Sequence, residues 1–173
     1  LSFGAEDLVD YDPIADKAVL NFDGDALFSS AGEDIDAVYV MNNGHLLLST
    51  AGPATLRGIP IDDGDLVEYN PVTNSAGVFF NDALFSVNKG TDAVHVLDDG
   101  HIILSSADDG AVLGGLTFND DDLVEYDPVA GTATQYFQGA VVFADLAEDV
   151  IAAHIGAGSG EVACGGTFRD LFS

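Results

Sequence analysis

Nine aspartates stand at spacings that could hold a divalent cation. Asp7, Asp65 and Asp122 recur at one place in a repeated motif, and Asp63 and Asp120 stand two residues ahead of the last two. Asp34, Asp36, Asp92 and Asp149 recur ahead of a second motif. Closely spaced aspartates on loops offer hard oxygen ligands at the separations calcium needs, with backbone carbonyls completing the shell. Ca2+ is therefore the expected cofactor. The competing reading is that these side chains cap turns and solvate loop ends. No EF-hand loop is present, because the Asp-x-Asp-x-Asp-Gly…Glu spacing is not matched.

Other chemistries have less to stand on. His45 and His101 each follow a tight turn, at repeat-equivalent places that read as exposed. His95 and His154 form a second equivalent pair, with Tyr39 in the same place of the first copy. Recurrence of this kind reads as structural rather than as a transition-metal site. No Gly-x-Ser-x-Gly elbow, paired zinc histidines or Walker loop appears. Gly156-Ala-Gly-Ser-Gly160 reads as a hairpin turn. Only Lys17, Arg57, Lys89, Arg169 and four histidines could stabilise an anionic transition state. The expectation is therefore a non-enzyme, with a calcium-dependent hydrolase or lyase as the outlying alternative.

Composition points the same way. Thirty acidic residues against four basic ones give a net charge of −26, a field that repels nucleic acid and anionic membrane surfaces. Of the acids, 24 are Asp and 6 are Glu, which favours turns and cation loops over helices. Such acidity fits either a chain kept soluble in high salt or one neutralised by bound cations. Hydrophobic residues at 47% exclude a disordered acidic tail. No apolar run approaches the ~18 residues that span a bilayer, so no membrane insertion is expected. Leu1 in place of Met points to processing or to a fragment. Cys164 has no internal disulfide partner and reads as a small buried residue.

The elements that would position the aspartates repeat along the chain. Asp7-Leu-Val-Asp-Tyr-Asp-Pro13, Asp65-Leu-Val-Glu-Tyr-Asn-Pro71 and Asp122-Leu-Val-Glu-Tyr-Asp-Pro128 start 58 and then 57 residues apart. A fixed period in this range marks a repeat architecture. Each motif reads as a strand ended by proline, paired with a second strand at Ala18–Phe22, Ala76–Phe80 and Thr132–Phe137. Asp36–Met41 with His45–Ser49, and Asp92–Leu97 with His101–Ser105, read as hairpins. Their Asn-Gly and Asp-Gly turns are expected to be type I′. A looser third copy runs over Glu148–Ile155 and Glu161–Cys164. Ala51–Gly64 and Ala107–Asp121 read as loops. Phe79, Phe80, Phe137, Tyr69 and Tyr126 are the candidate core aromatics. The expected fold is all-β, about twelve strands in one repeat domain over 1–173, with repeats near 7–64, 65–121 and 122–173.

The ends are out of phase with the repeat. The chain starts on the Asp-Leu-Val strand, and Gly165-Gly-Thr-Phe168 matches Gly114-Gly-Leu-Thr-Phe118, which elsewhere leads into that strand. One sheet would then be completed by strands from both termini, within a chain or between chains, removing an exposed edge.

The Asp-Ala-Val-x-Val…Asp-Gly-His-x-x-Leu-Ser hairpin followed by Asp-Leu-Val-x-Tyr-x-Pro resembles the β-propeller-like repeats of large secreted bacterial proteins. That resemblance implies a propeller-type fold, calcium binding, surface or matrix attachment and an extracellular or cell-surface location. It carries no activity. Ile151 departs from it, standing where the other copies have Asp36 and Asp92. Three units are few for a propeller, so closure through self-association is expected, with a single-chain threefold prism- or trefoil-like body as the alternative. The functional expectation is a calcium-stabilised structural or adhesive module whose partner is itself. The alternative is a glycan-binding, lectin-like module, weakened by the absence of Trp.

Overall fold

The computed structural model of the protein describes residues 1–29, 33–87, 90–143 and 149–156. Among these the chain is all-β, laid out as small antiparallel sheets, none closed on itself. β1 (Leu8–Asp12) and β2 (Lys17–Phe22) form a two-stranded sheet. β3 (Ile35–Val40), β4 (Leu46–Thr50), β7 (Leu66–Asn70) and β8 (Ser75–Phe80) form a four-stranded sheet in that order. β9 (Val94–Val96), β10 (Ile102–Leu104), β13 (Leu123–Asp127) and β14 (Thr132–Phe137) repeat the same order. The two sequence hairpins thus share one sheet, joined where β4 meets β7 and β10 meets β13.

The segments read as loops carry hairpins of their own. β5 (Ala54–Leu56) pairs with β6 (Ile59–Ile61), and β11 (Ala111–Leu113) with β12 (Leu116–Phe118). These hold the type I′ turns. Arg57 and Gly58 have φ of +50° and +84°, and Gly114 and Gly115 have +54° and +85°. Strands of three residues are too short to show an alternation, which is why the sequence hid them. Gly114 admits no side chain, since a Cβ there would lie 2.4 Å from the Ala133 nitrogen.

At Asn42-Asn43-Gly44 the expected type I′ turn gives way to a three-residue loop. Met41 N–H donates to His45 O and Gly44 N–H to Met41 O, both at 2.9 Å, and only Gly44 (φ +80°) is left-handed. The Asn43 side chain explains this. Its Oδ1 accepts the His45 N–H at 2.9 Å, an Asx contact compatible with ordinary φ. Asp99 does the same for His101 at 3.1 Å.

Two apolar clusters hold the sheets face to face. Phe22 and Phe28 meet Leu46, Leu48, Val67 and Tyr69 in one. Leu47, Leu66, Phe80 and Phe85 meet Val94, Ile102, Leu104, Val124 and Tyr126 in the other. The period-two alternation of β4 sends Leu46 and Leu48 to one cluster and Leu47 to the other, so the strand is buried along its length. Phe22 packs edge-on against Phe28 and Tyr69, as Phe80 does against Phe85 and Tyr126. Phe79 departs from the expected core and is exposed, because the strand alternation turns it away from Phe80.

The third copy of the Asp-Ala-Val hairpin differs from expectation. Residues 149–156 form no strand. They lie instead along the second four-stranded sheet. Val150 N–H donates to Asp120 O at 3.1 Å, Ser105 Oγ donates to Val150 O at 2.7 Å, and Ile155 N–H reaches His95 Nδ1 at 3.4 Å. The rest of that hairpin, Cys164 and Gly165–Phe168 lie outside the described residues. So does the expected pairing of the two termini.

Candidate functional site

The nine aspartates divide into two sets. Asp7, Asp65 and Asp122 act on the backbone. In each, Oδ1 accepts the N–H of the residue seventeen positions later: Gly24 at 2.9 Å, Asp82 at 2.8 Å and Gly139 at 3.0 Å. Oδ2 accepts the N–H three positions earlier, from Gly4, Asp62 and Asn119, at 2.9, 3.0 and 3.0 Å. Gly24 and Gly139 open four-residue helices, α1 (Gly24–Leu27) and α2 (Gly139–Val142), and Asp82 opens a 3-10 turn, Asp82–Leu84. Each aspartate therefore ties the start of its strand to the short helical turn that leaves the paired strand. A one-turn helix shows no periodicity in sequence, so neither the turns nor the tie could be read there. Asp62, Asp65 and Asp82 also bring carboxylate oxygens within 4.8 Å of one another.

The other set gathers where the two four-stranded sheets and residues 149–156 meet. Asp92 is pushed up to about 6, first by burial and then by Asp149, Asp36, Asp63 and Asp108. Burial, then Asp34 and Asp63, raises Asp36, and burial with Asp108 raises Asp63. Asp120 is raised by burial and by Asp109 and Asp149, and Asp149 by burial. Charge thus links six candidates from three sequence copies pair by pair: Asp34 with Asp36, Asp36 and Asp63 with Asp92, and Asp149 with both Asp92 and Asp120. Asp108 and Asp109, which sequence reasoning passed over, belong with them. Gly90 stands at the place of Asp34 in its copy, and a Cβ there would lie 2.8 Å from Asp63 Oδ1. The missing side chain leaves room for a carboxylate from the neighbouring loop.

The histidines also separate into pairs. His45 and His101 are half-buried rather than exposed. His45 Nδ1 lies 2.5 Å from Glu68 Oε1, and His101 Nδ1 lies 2.6 Å from Glu125 Oε1. The His101 Nε2 is 3.6 Å from Asp127 Oδ2. The bond to Glu125 raises the His101 imidazole above its ordinary value. His95 stacks edge-on with Tyr39 at 4.7 Å and with His154 at 5.4 Å between centroids. Burial, then His154, lowers it.

No protein-family model matches the chain, and no curated protein sequence matches it. Among solved structures it is similar to the extracellular domain assigned to the one-component system BT4673 from B. thetaiotaomicron. The likeness has 11% identity and a TM-score of 0.37, over 86% of this chain and 22% of that one. The chain spans about a fifth of that structure's length. Among the described residues, no helix is long and apolar enough to cross a membrane.

Proposed function

We propose that the protein is a non-enzymatic extracellular structural or adhesive module of β-propeller type. In this reading its stacked sheets are stabilised by Ca2+ at the gathered carboxylates, and copies associate through the edge of β1 that no described strand covers. The contrast among three equivalent tyrosines carries it. Tyr69 on β7 is 7% exposed and Tyr126 on β13 is 4%, each strand being paired with a strand that follows a histidine. Tyr11, in the same motif on β1, is 55% exposed, and among the described residues β1 pairs only with β2. An unpaired edge with an uncovered aromatic is a template for strand addition. A strand of the His-x-x-Leu-Ser type from a second copy would supply what β4 and β10 supply to their neighbours.

Calcium enters because the carboxylates repel one another and bring few cations of their own. A divalent ion would relieve the repulsion that, after burial, raises Asp92. Analytical ultracentrifugation across protein concentration, with and without calcium, tests the association. Concentration-dependent oligomers that Tyr11→Lys abolishes support it. A monomer at every concentration in calcium overturns it.

A further inference from the structure

Two hairpins of this chain present the same frame with different donors. In one, Asn43 holds the His45 N–H, and His45 meets Glu68 across the β4–β7 pairing, with Asn70 two residues beyond. In the other, Asp99 holds the His101 N–H, and His101 meets Glu125 across the β10–β13 pairing, with Asp127 two residues beyond. The backbone frame is shared; two amides in the first are two carboxylates in the second.

That exchange changes what the frame can bind. An amide offers a neutral carbonyl oxygen, whereas a carboxylate offers an anionic ligand atom. Asp99, His101 and Glu125 each bring one donor atom within 4.8 Å of the other two. Tetrahedral zinc shells place neighbouring ligands roughly 3.4 Å apart, given metal–ligand bonds of about 2.1 Å, so small side-chain rotations would close this set.

We propose that Asp99, His101 and Glu125 form a binding site for a divalent transition metal of the Zn2+ class. The imidazole sets the preference, because calcium and magnesium favour all-oxygen shells while nitrogen with carboxylate suits zinc, nickel and copper. Asp99 and His101 are fixed to each other by the turn, and Glu125 by strand register. The three side chains are thus brought near one another before a metal arrives. His101 Nδ1 already lies 2.6 Å from Glu125 Oε1, so the imidazole and that carboxylate stand side by side across the strands. With one imidazole and two carboxylates, the shell keeps room for water.

The site is separate from the carboxylates assigned to calcium, so the test runs in excess CaCl2 to occupy those. ZnCl2 is titrated into the full chain labelled at histidine, and the imidazole resonances are followed by NMR. The expected result is a saturable shift at His101 with one equivalent of zinc, while His45 stays in place. Glu125→Gln lowers the affinity by about tenfold or more. Joint replacement of Asn43→Asp and Asn70→Asp brings a second equivalent to His45. Equal response of His45 and His101 in the native chain overturns the proposal, as does unchanged zinc stoichiometry in folded His101→Gln.

Discussion

Asp122 and Gly139 stand seventeen residues apart in sequence, yet the Gly139 N–H donates to the Asp122 carboxylate at 3.0 Å. The other Asp122 oxygen accepts from Asn119 N–H at 3.0 Å, and the side chain is buried. The same double acceptance at Asp7 and Asp65 makes these aspartates fastenings between a strand and a helical turn.

Removing the Asp122 fastening leaves two amides without an acceptor. At about 1–3 kcal/mol for each buried unsatisfied donor, Asp122→Ala is expected to cost about 3 kcal/mol in urea unfolding. Asp7→Ala, whose bonds lie nearer water, costs less. Equal losses at the two positions would refute the burial argument.

A steric exchange accompanies the fastening. Gly139 faces Asp121, where a Cβ would lie 2.1 Å from the Asp121 carbonyl oxygen, and Gly24 faces Glu6 in the same way. In the middle copy the glycine has moved to the other side of the contact. Gly64 takes φ +97°, and Asp82 occupies the place of Gly24 and Gly139. Gly139→Ala is expected to destabilise by about 2 kcal/mol. Adding Asp121→Gly should recover part of that loss, so a double-mutant cycle showing simple additivity would count against the exchange.

The pH dependence follows from the raised carboxylates. The folded Asp92 holds its proton up to about pH 6, whereas an unfolded aspartate releases it near about 3.9. Between those values the folded state binds more protons, so stability rises as pH falls through this window. Asp36, Asp63, Asp120 and Asp149 are raised and act with the same sign. His101 adds to it, because stability from its raised value is lost as pH climbs. His95, lowered by burial, opposes it on acidification. The melting temperature should therefore increase from pH 7.5 towards pH 5. Asp92→Asn should raise it at pH 7.5 and flatten the curve. A wild-type curve that falls throughout this range would contradict the assignment.

Calcium should act beyond its contribution to ionic strength. Replacing NaCl by CaCl2 at constant ionic strength is expected to raise the melting temperature. A site at a hundredfold excess over its dissociation constant contributes about 2.7 kcal/mol. The gain should shrink in Asp92→Asn. Identical melting in both salts would reduce the effect to screening.

What the residues determined alone was local. The Asp-Leu-Val strands, their proline stops and the two longer hairpins were legible, because alternation and turn chemistry act within a few residues. Even there, one side chain decided the turn type: the Asx contact of Asn43 selects a three-residue loop over type I′. The aspartates were legible as candidates, but their division was not. Asp7, Asp65 and Asp122 look like ligands in sequence and find backbone amides seventeen residues away. Asp36, Asp63, Asp92 and Asp149 come together only because stacked sheets bring their loops to one place. Charge repulsion and burial depend on distance through space, and the packing of Phe22, Phe80 and Tyr126 between sheets sets that distance.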